Sequence, residues 1–351
     1  AMLANFDYPA KDESLRQHIV TEIAQFLEAT ALSPSLAVFC GGSEIYQQGA
    51  MLGLPEQIWK GMLTEDVLPS LLAEKRPDAA YVANSPSGGA LPFFPNAGVG
   101  HYYGVGAYCR PLEDARRANL RFAGECLAFS NIPEQQTLDR YLPGVAVHDA
   151  RWKARTPRDR GASWDFEDVR DHYLKLLYDV EPDVLRREDG GLYLDMSRAA
   201  TAEVMEATFA EWRRSGSPCQ GALVWTLQDL VPGAGWGIID ALGRPKSVWH
   251  ALKRAFRPIQ VNLLDEGTNG LDIQLINEIG NAVEAMLELT CLREGTQPVV
   301  HAKRSITLLP RQSETVAATD LFGAFFDTTY AYRFGPPSHD VTVARLRDVA
   351  T

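Results

Sequence analysis

Leu36-Ala-Val-Phe-Cys-Gly-Gly-Ser-Glu44 runs from an apolar stretch through two glycines to a glutamate. The apolar part, 36–40, is too short for a buried helix. It reads as a buried strand stopped by Gly41 and Gly42. The same order returns at Leu120-Arg-Phe-Ala-Gly-Glu125, with a strand over 121–123. In both places a glycine shortly before the acid lets the backbone turn sharply. Around these two stretches the spacing predicts helices over 12–28, 65–75, 165–180, 200–214 and 246–256. The first has Asp12 or Ser14 as its cap and Leu15, Ile19, Ile23, Phe26 and Leu27 as its apolar stripe. Short strands are predicted over 79–83, 99–103 and 221–226. Strands alternating with helices give an α/β fold with a parallel sheet. After Pro258 the texture changes to apolar–polar alternation over 259–263, 272–277, 284–292, 305–309 and 328–334. That predicts a small antiparallel β-sandwich. The expected domains are therefore 1–258 and 259–351.

Composition excludes several partners. The 351 residues carry a net charge of −11, which argues against nucleic acid, because phosphate neutralisation needs a Lys/Arg surplus. The basic run 151–160 reads as a solvated loop. No apolar stretch approaches the roughly 20 residues that span a bilayer, so no membrane is expected. The five cysteines, Cys40, Cys109, Cys126, Cys219 and Cys291, are odd in number and show no CxxC or zinc spacing. They suggest reduced thiols and a cytoplasmic setting. Ala1 before Met2 looks like a residue left by a tag.

A glutamate at the end of a buried strand is costly unless something pairs or uses it. In a parallel α/β barrel, functional residues gather at the C-terminal ends of the strands. Two such glutamates on facing strand ends can converge as the nucleophile and acid/base of glycoside hydrolysis with retention.

Further stretches carry a resemblance. Gly221-Ala-Leu-Val-Trp-Thr-Leu-Gln-Asp-Leu-Val-Pro232, Gly235-Trp-Gly-Ile-Ile-Asp-Ala-Leu-Gly-Arg-Pro-Lys246 and Lys253-Arg-Ala-Phe-Arg-Pro258 resemble the last barrel strand, its loop and the closing helix of the β-mannosidases of glycoside hydrolase family 2. Asn5-Phe-Asp-Tyr-Pro9, the segment from Ser33, Ser85-Pro-Ser-Gly-Gly89 and Gly100-His-Tyr-Tyr-Gly104 resemble the ends of strands three, four, five and six, in that order. The resemblance implies a partial (β/α)8 TIM barrel lacking its first strands, followed by an immunoglobulin-like β-sandwich. Six barrel strands can be argued here, so an upstream part of the enzyme or a second chain would complete the barrel.

Carried over, the family pattern makes Glu44 the acid/base and Glu125 the nucleophile. Tyr102 would hydrogen-bond Glu125, Trp225 would floor the sugar subsite and His101 would lie in the same shell. On residue type alone Trp225 and His101 could equally be core residues. Only one of Tyr102 and Tyr103 should face the pocket. Trp225 and Trp236 suit a sugar platform, while Asp229 and Asp240 would pair with Arg244 or Lys246 to hold a loop. Where family members carry asparagine before the acid/base, to contact the sugar 2-hydroxyl, this chain has Ser43. Cys126 after the nucleophile is a second departure. The implied substrate is a β-linked oligosaccharide or glycoside, with no metal or organic cofactor. β-Galactosidase or β-glucuronidase activity, or a non-catalytic sugar-binding remnant, are the alternatives.

Overall fold

The computed structural model describes residues 2–332 and 335–348. The chain packs as two compact units. One comprises Ala1–Phe129 and Pro218–Leu227, the other Ser130–Ser217 and Gln228–Thr351. Among the described residues no helix is long and apolar enough to cross a membrane.

The first unit holds the parallel strands. β1 (Val38–Ser43) pairs with β2 (Ala80–Ser85). β3 (Gly100–Tyr102), β4 (Ala123–Cys126) and β5 (Ala222–Val224) form a second parallel sheet in that order. The stretch 5–9, expected to end a strand, forms loop and turn. Strand-like pairing falls earlier, where Leu3 bridges Gly42 in parallel. The helix Glu13–Ala29 starts where its cap predicts, with the Asp12 carboxylate accepting from the Leu15 N–H at 3.0 Å. Its Leu27 is buried with Phe39 of β1 and Leu72.

One local reading needs correction. Gly41 and Gly42 do not stop the strand; β1 runs through them to Ser43. They are glycine because there is no room for a side chain. A Cβ on Gly41 would stand 2.2 Å from the Tyr81 hydroxyl, and one on Gly42 2.7 Å from the Asn84 Oδ1. Close approach to β2, not a turn, is what these positions need. Likewise Gly124 and Glu125 lie within β4 rather than beyond it.

In the second unit, the helix Phe166–Tyr178 is capped by Asp165. The helix Gly190–Trp212 begins ten residues earlier than its pattern suggested. Asp189 caps it by accepting from the Leu192 N–H at 2.9 Å, and Gly190 and Gly191 disguise its first turn. Six antiparallel strands follow: β6 (Ile259–Asp265), β7 (Leu271–Asn277), β8 (Val283–Arg293), β9 (Gln297–Leu308), β10 (Gln312–Ala317) and β11 (Val341–Asp348). They form two sheets, ordered β10-β7-β6 and β11-β8-β9. Alternate side chains such as Ile273, Leu275, Leu287, Leu289 and Ile306 meet in one core, as in a sandwich. No strand covers 328–332, and the rest of the strand expected there, 333–334, lies outside the described residues. The change of texture at Pro258 separates parallel from antiparallel ladders, whereas the packing units divide elsewhere.

Candidate active site

β1 and β2 end together, with Ser43 opposite Ser85. Glu44 is the next residue. Its backbone turns left-handed, φ 59°, into the helix Ile45–Met51, a conformation that costs a non-glycine residue about 1–2 kcal/mol. The Glu44 N–H donates to the Ser85 carbonyl at 2.7 Å, which holds that turn against the end of β2. Glu125 reaches the same place from β4, where it pairs with His101 of β3. Side chains from four strands, belonging to the two parallel sheets of one unit, therefore meet.

Their contacts are specific. The Ser43 hydroxyl donates to Glu125 Oε1 at 3.0 Å, and the Tyr103 hydroxyl donates to Glu125 Oε2 at 2.6 Å. His101 Nδ1 lies 2.9 Å from Glu44 Oε1 and 3.5 Å from Glu125 Oε2. Its Nε2 lies 2.7 Å from the Ser85 hydroxyl. The His101 side chain is 2% exposed, while Glu44 is 34% and Glu125 16% exposed. The imidazole is thus a buried post between two carboxylates that still meet solvent. Burial, reinforced by the negative charge of Glu125, pushes the Tyr103 phenol far above its ordinary range, so it stays a proton donor.

Tyr102 is the site residue that moves. Its hydroxyl donates to Asp114 Oδ2 at 2.9 Å, and the residue is buried. Tyr103 makes the contact to Glu125 that was expected of Tyr102. The reason is strand parity: successive side chains leave a strand on opposite faces, so His101 and Tyr103 share one and Tyr102 takes the other. With His101 assigned to the site, parity already favoured Tyr103. Ser85 went unrecognised because its role depends on the β1–β2 register.

Trp225 follows β5, and its N–H donates to the Cys126 carbonyl at 2.8 Å. It is 36% exposed, so it is not a core tryptophan. Cys126 is fully buried, with its thiol turned to the Leu223 carbonyl at 3.4 Å. Glu44, His101 and Glu125 offer ligand-type atoms that all lie within 4.8 Å of one another. A cation could fit such a spacing, but His101 already commits both nitrogens, to Glu44 and Ser85.

In the second unit, Trp236 packs edge-on against Phe166, ring centroids 5.1 Å apart. Asp229 pairs with buried Lys246 at 2.5 Å, and Asp240 accepts from the Arg244 N–H at 2.9 Å. These are loop-holding pairs. The basic run 151–160 includes solvated Arg151 and Arg158, but its Lys153 reaches in to Asp165 and Glu167 at 2.8 and 2.6 Å.

No family model matches the chain. It is 23% identical over 354 residues to β-mannosidase B of Emericella nidulans, covering 88% of this chain and 40% of that protein. It is 28% identical over 258 residues to β-mannosidase B of Aspergillus oryzae, covering 66% of this chain and 29% of that protein. The β-D-mannosidase of Dictyoglomus thermophilum superposes with a TM-score of 0.70 at 20% identity, over 87% of this chain and 37% of that one. The chain is β-mannosidase-like. It resembles the family 2 β-mannosidases while spanning no more than about two-fifths of these relatives' length. An exo-chitosanase of Amycolatopsis orientalis shares the fold, with a TM-score of 0.62 at 16% identity, over 89% of this chain and 36% of that one.

Proposed function

We propose that this β-mannosidase-like chain carries the catalytic pair of a retaining β-glycosidase, acting on terminal β-linked sugars and on β-mannosides first. The observation that carries this reading is the pair Glu44 and Glu125, one oxygen of each carboxylate lying within 4.8 Å of the other at a solvent-reachable strand end. Retaining pairs stand about 5–5.5 Å apart, whereas inverting pairs need about 6.5–9.5 Å to admit a water. In this reading Glu125, held at both oxygens by Ser43 and Tyr103, attacks the anomeric carbon as Glu44 protonates the departing oxygen. Glu44 then takes a proton from water as that water releases the sugar from Glu125. Ser43 and Trp225 would contact the sugar, the first at a hydroxyl and the second across its apolar face. The five parallel strands would be part of a (β/α)8 barrel whose remaining strands come from upstream sequence or a second chain. The setting would be cytoplasmic.

Hydrolysis of aryl β-mannosides tests this, with the chain alone and with the sequence upstream of it in its gene. The β-anomer of mannose should appear first by NMR. Glu125→Gln should lower kcat/KM by about 10³-fold or more. Undiminished activity in that variant would remove Glu125 as nucleophile. No hydrolysis by either form would leave a sugar-binding remnant.

A further inference from the structure

Ser85 touches Glu44 twice, once directly and once through a ring. Its carbonyl accepts the Glu44 N–H at 2.7 Å. Its hydroxyl bonds His101 Nε2 at 2.7 Å, and the opposite nitrogen of that ring bonds the Glu44 carboxylate at 2.9 Å. Three hydrogen bonds thus close a loop through Ser85, His101 and Glu44, which fixes Glu44 at its backbone and at its carboxylate together. Among the described residues His101 is the one hydrogen-bond partner of that carboxylate, whereas Glu125 has two hydroxyl donors of its own. Chain packing keeps space for the loop. A Cβ on Gly124 would fall 2.2 Å from the Ser85 hydroxyl and 3.5 Å from His101 Nε2, so glycine at 124 is what lets the serine meet the ring.

Nδ1 faces one oxygen of Glu44 and one of Glu125. Donating there, the ring carries its hydrogen on Nδ1, and Nε2 accepts from the Ser85 hydroxyl. We propose that Ser85 is a positioning residue which, through His101, aims the Glu44 carboxyl at the leaving-group oxygen. The inference rests on the reading of Glu44 as the acid/base. Without Ser85 the buried ring can rotate or exchange tautomers, and a carboxyl with no other anchor swings free of the bond it must protonate. The loss falls on proton delivery, not on nucleophilic attack.

Leaving-group dependence separates those steps. A dinitrophenyl glycoside departs without a proton, whereas an unsubstituted phenyl glycoside needs one. In the chain together with its upstream sequence, Ser85→Ala and separately Gly124→Ala should lower kcat/KM by about 100-fold on the phenyl glycoside, and by no more than about 3-fold on the dinitrophenyl one. Equal losses on both substrates, or none on either, would overturn the proposal. Nitrogen-15 NMR of the histidine ring provides an arm that needs no turnover. Wild-type His101 should carry hydrogen on Nδ1, and Ser85→Ala should shift the Nε2 resonance. A bare Nδ1 in the wild type would overturn the clamp whatever the enzyme does. A correct ring state in a protein that cleaves neither glycoside would instead sink the glycosidase reading while leaving the hydrogen-bonded loop intact. Covalent capture of Ser85 by a fluorophosphonate would also overturn it, because a serine, histidine and carboxylate in this order can form a nucleophilic triad.

Discussion

Glu125 accepts from Tyr103 at one oxygen and from Ser43 at the other, so neighbouring hydroxyls aim its carboxylate before a substrate arrives. Removing one hydrogen bond to a charged group costs about 1.5–3 kcal/mol, and about 1.4 kcal/mol is tenfold in rate. Tyr103→Phe should therefore reduce kcat/KM by about 10- to 100-fold without changing the melting temperature appreciably. Tyr102→Phe should do the reverse, because that hydroxyl donates to Asp114 and accepts from the Val105 N–H. Steady-state kinetics and thermal melts on the two variants check the assignment, and a rate effect confined to Tyr102→Phe would refute it. Glu44 and Glu125 stood out in the sequence as a pair of acids beside apolar strands, and the family resemblance gave them their expected roles. The choice between adjacent tyrosines was not legible until parity was applied to His101 as well.

Helix ends were easy to read where a capping side chain announces them, as Asp12 does. They were missed where burial hides the pattern, as in the helix Gly190–Trp212, which is covered along most of its length. The helix Phe166–Tyr178 also carries a buried charge network. Glu167 lies 2.9 Å from Arg170 and 2.6 Å from Lys153, with all of Glu167 and Arg170 inside. Burial alone would raise the Glu167 pKa, but Arg170 and Lys153 outweigh it and hold it at about 2, below its ordinary value of 4.5. A carboxylate depressed on folding stabilises fully above its unfolded value and loses that contribution as pH falls through the folded one. Stability should thus decline between pH 4.5 and about 2. Glu167→Gln should cost about 3–5 kcal/mol at neutral pH, since it leaves buried Arg170 short of a partner, and should flatten the acid limb. Urea unfolding across that range measures both, and an unchanged acid limb would rule the network out as its cause.

The parallel strands of the first unit show apolar side chains to solvent: Val38 is 53% and Leu223 59% exposed. Parallel sheets are ordinarily covered on both faces, and unpaired strand edges favour association. The chain alone should self-associate in light scattering, and the form with its upstream sequence should be monodisperse with a higher melting temperature. A monodisperse, heat-stable chain on its own would contradict the partial-barrel reading. The second unit has no such exposure in its sandwich core, where Ile273, Leu275, Leu287 and Leu289 are all fully buried.

Local chemistry in the sequence was enough to mark the helix cap at Asp12, the start of a helix at residue 165 and the passage from parallel to antiparallel strands at Pro258. Each depends on neighbours within a few positions, where propensity and periodicity act. The two acids were singled out by their paired strand context together with the family resemblance. Tertiary structure alone decided that Gly41 and Gly42 are close-packing residues rather than a turn, and that the Ser85 hydroxyl reaches Glu44 through His101. The hydrogen bonds to His101 join residues 16 and 57 positions apart. They exist only once the β1–β2 sheet and the β3–β4–β5 sheet have packed together, and that packing is a property of neither stretch of sequence by itself.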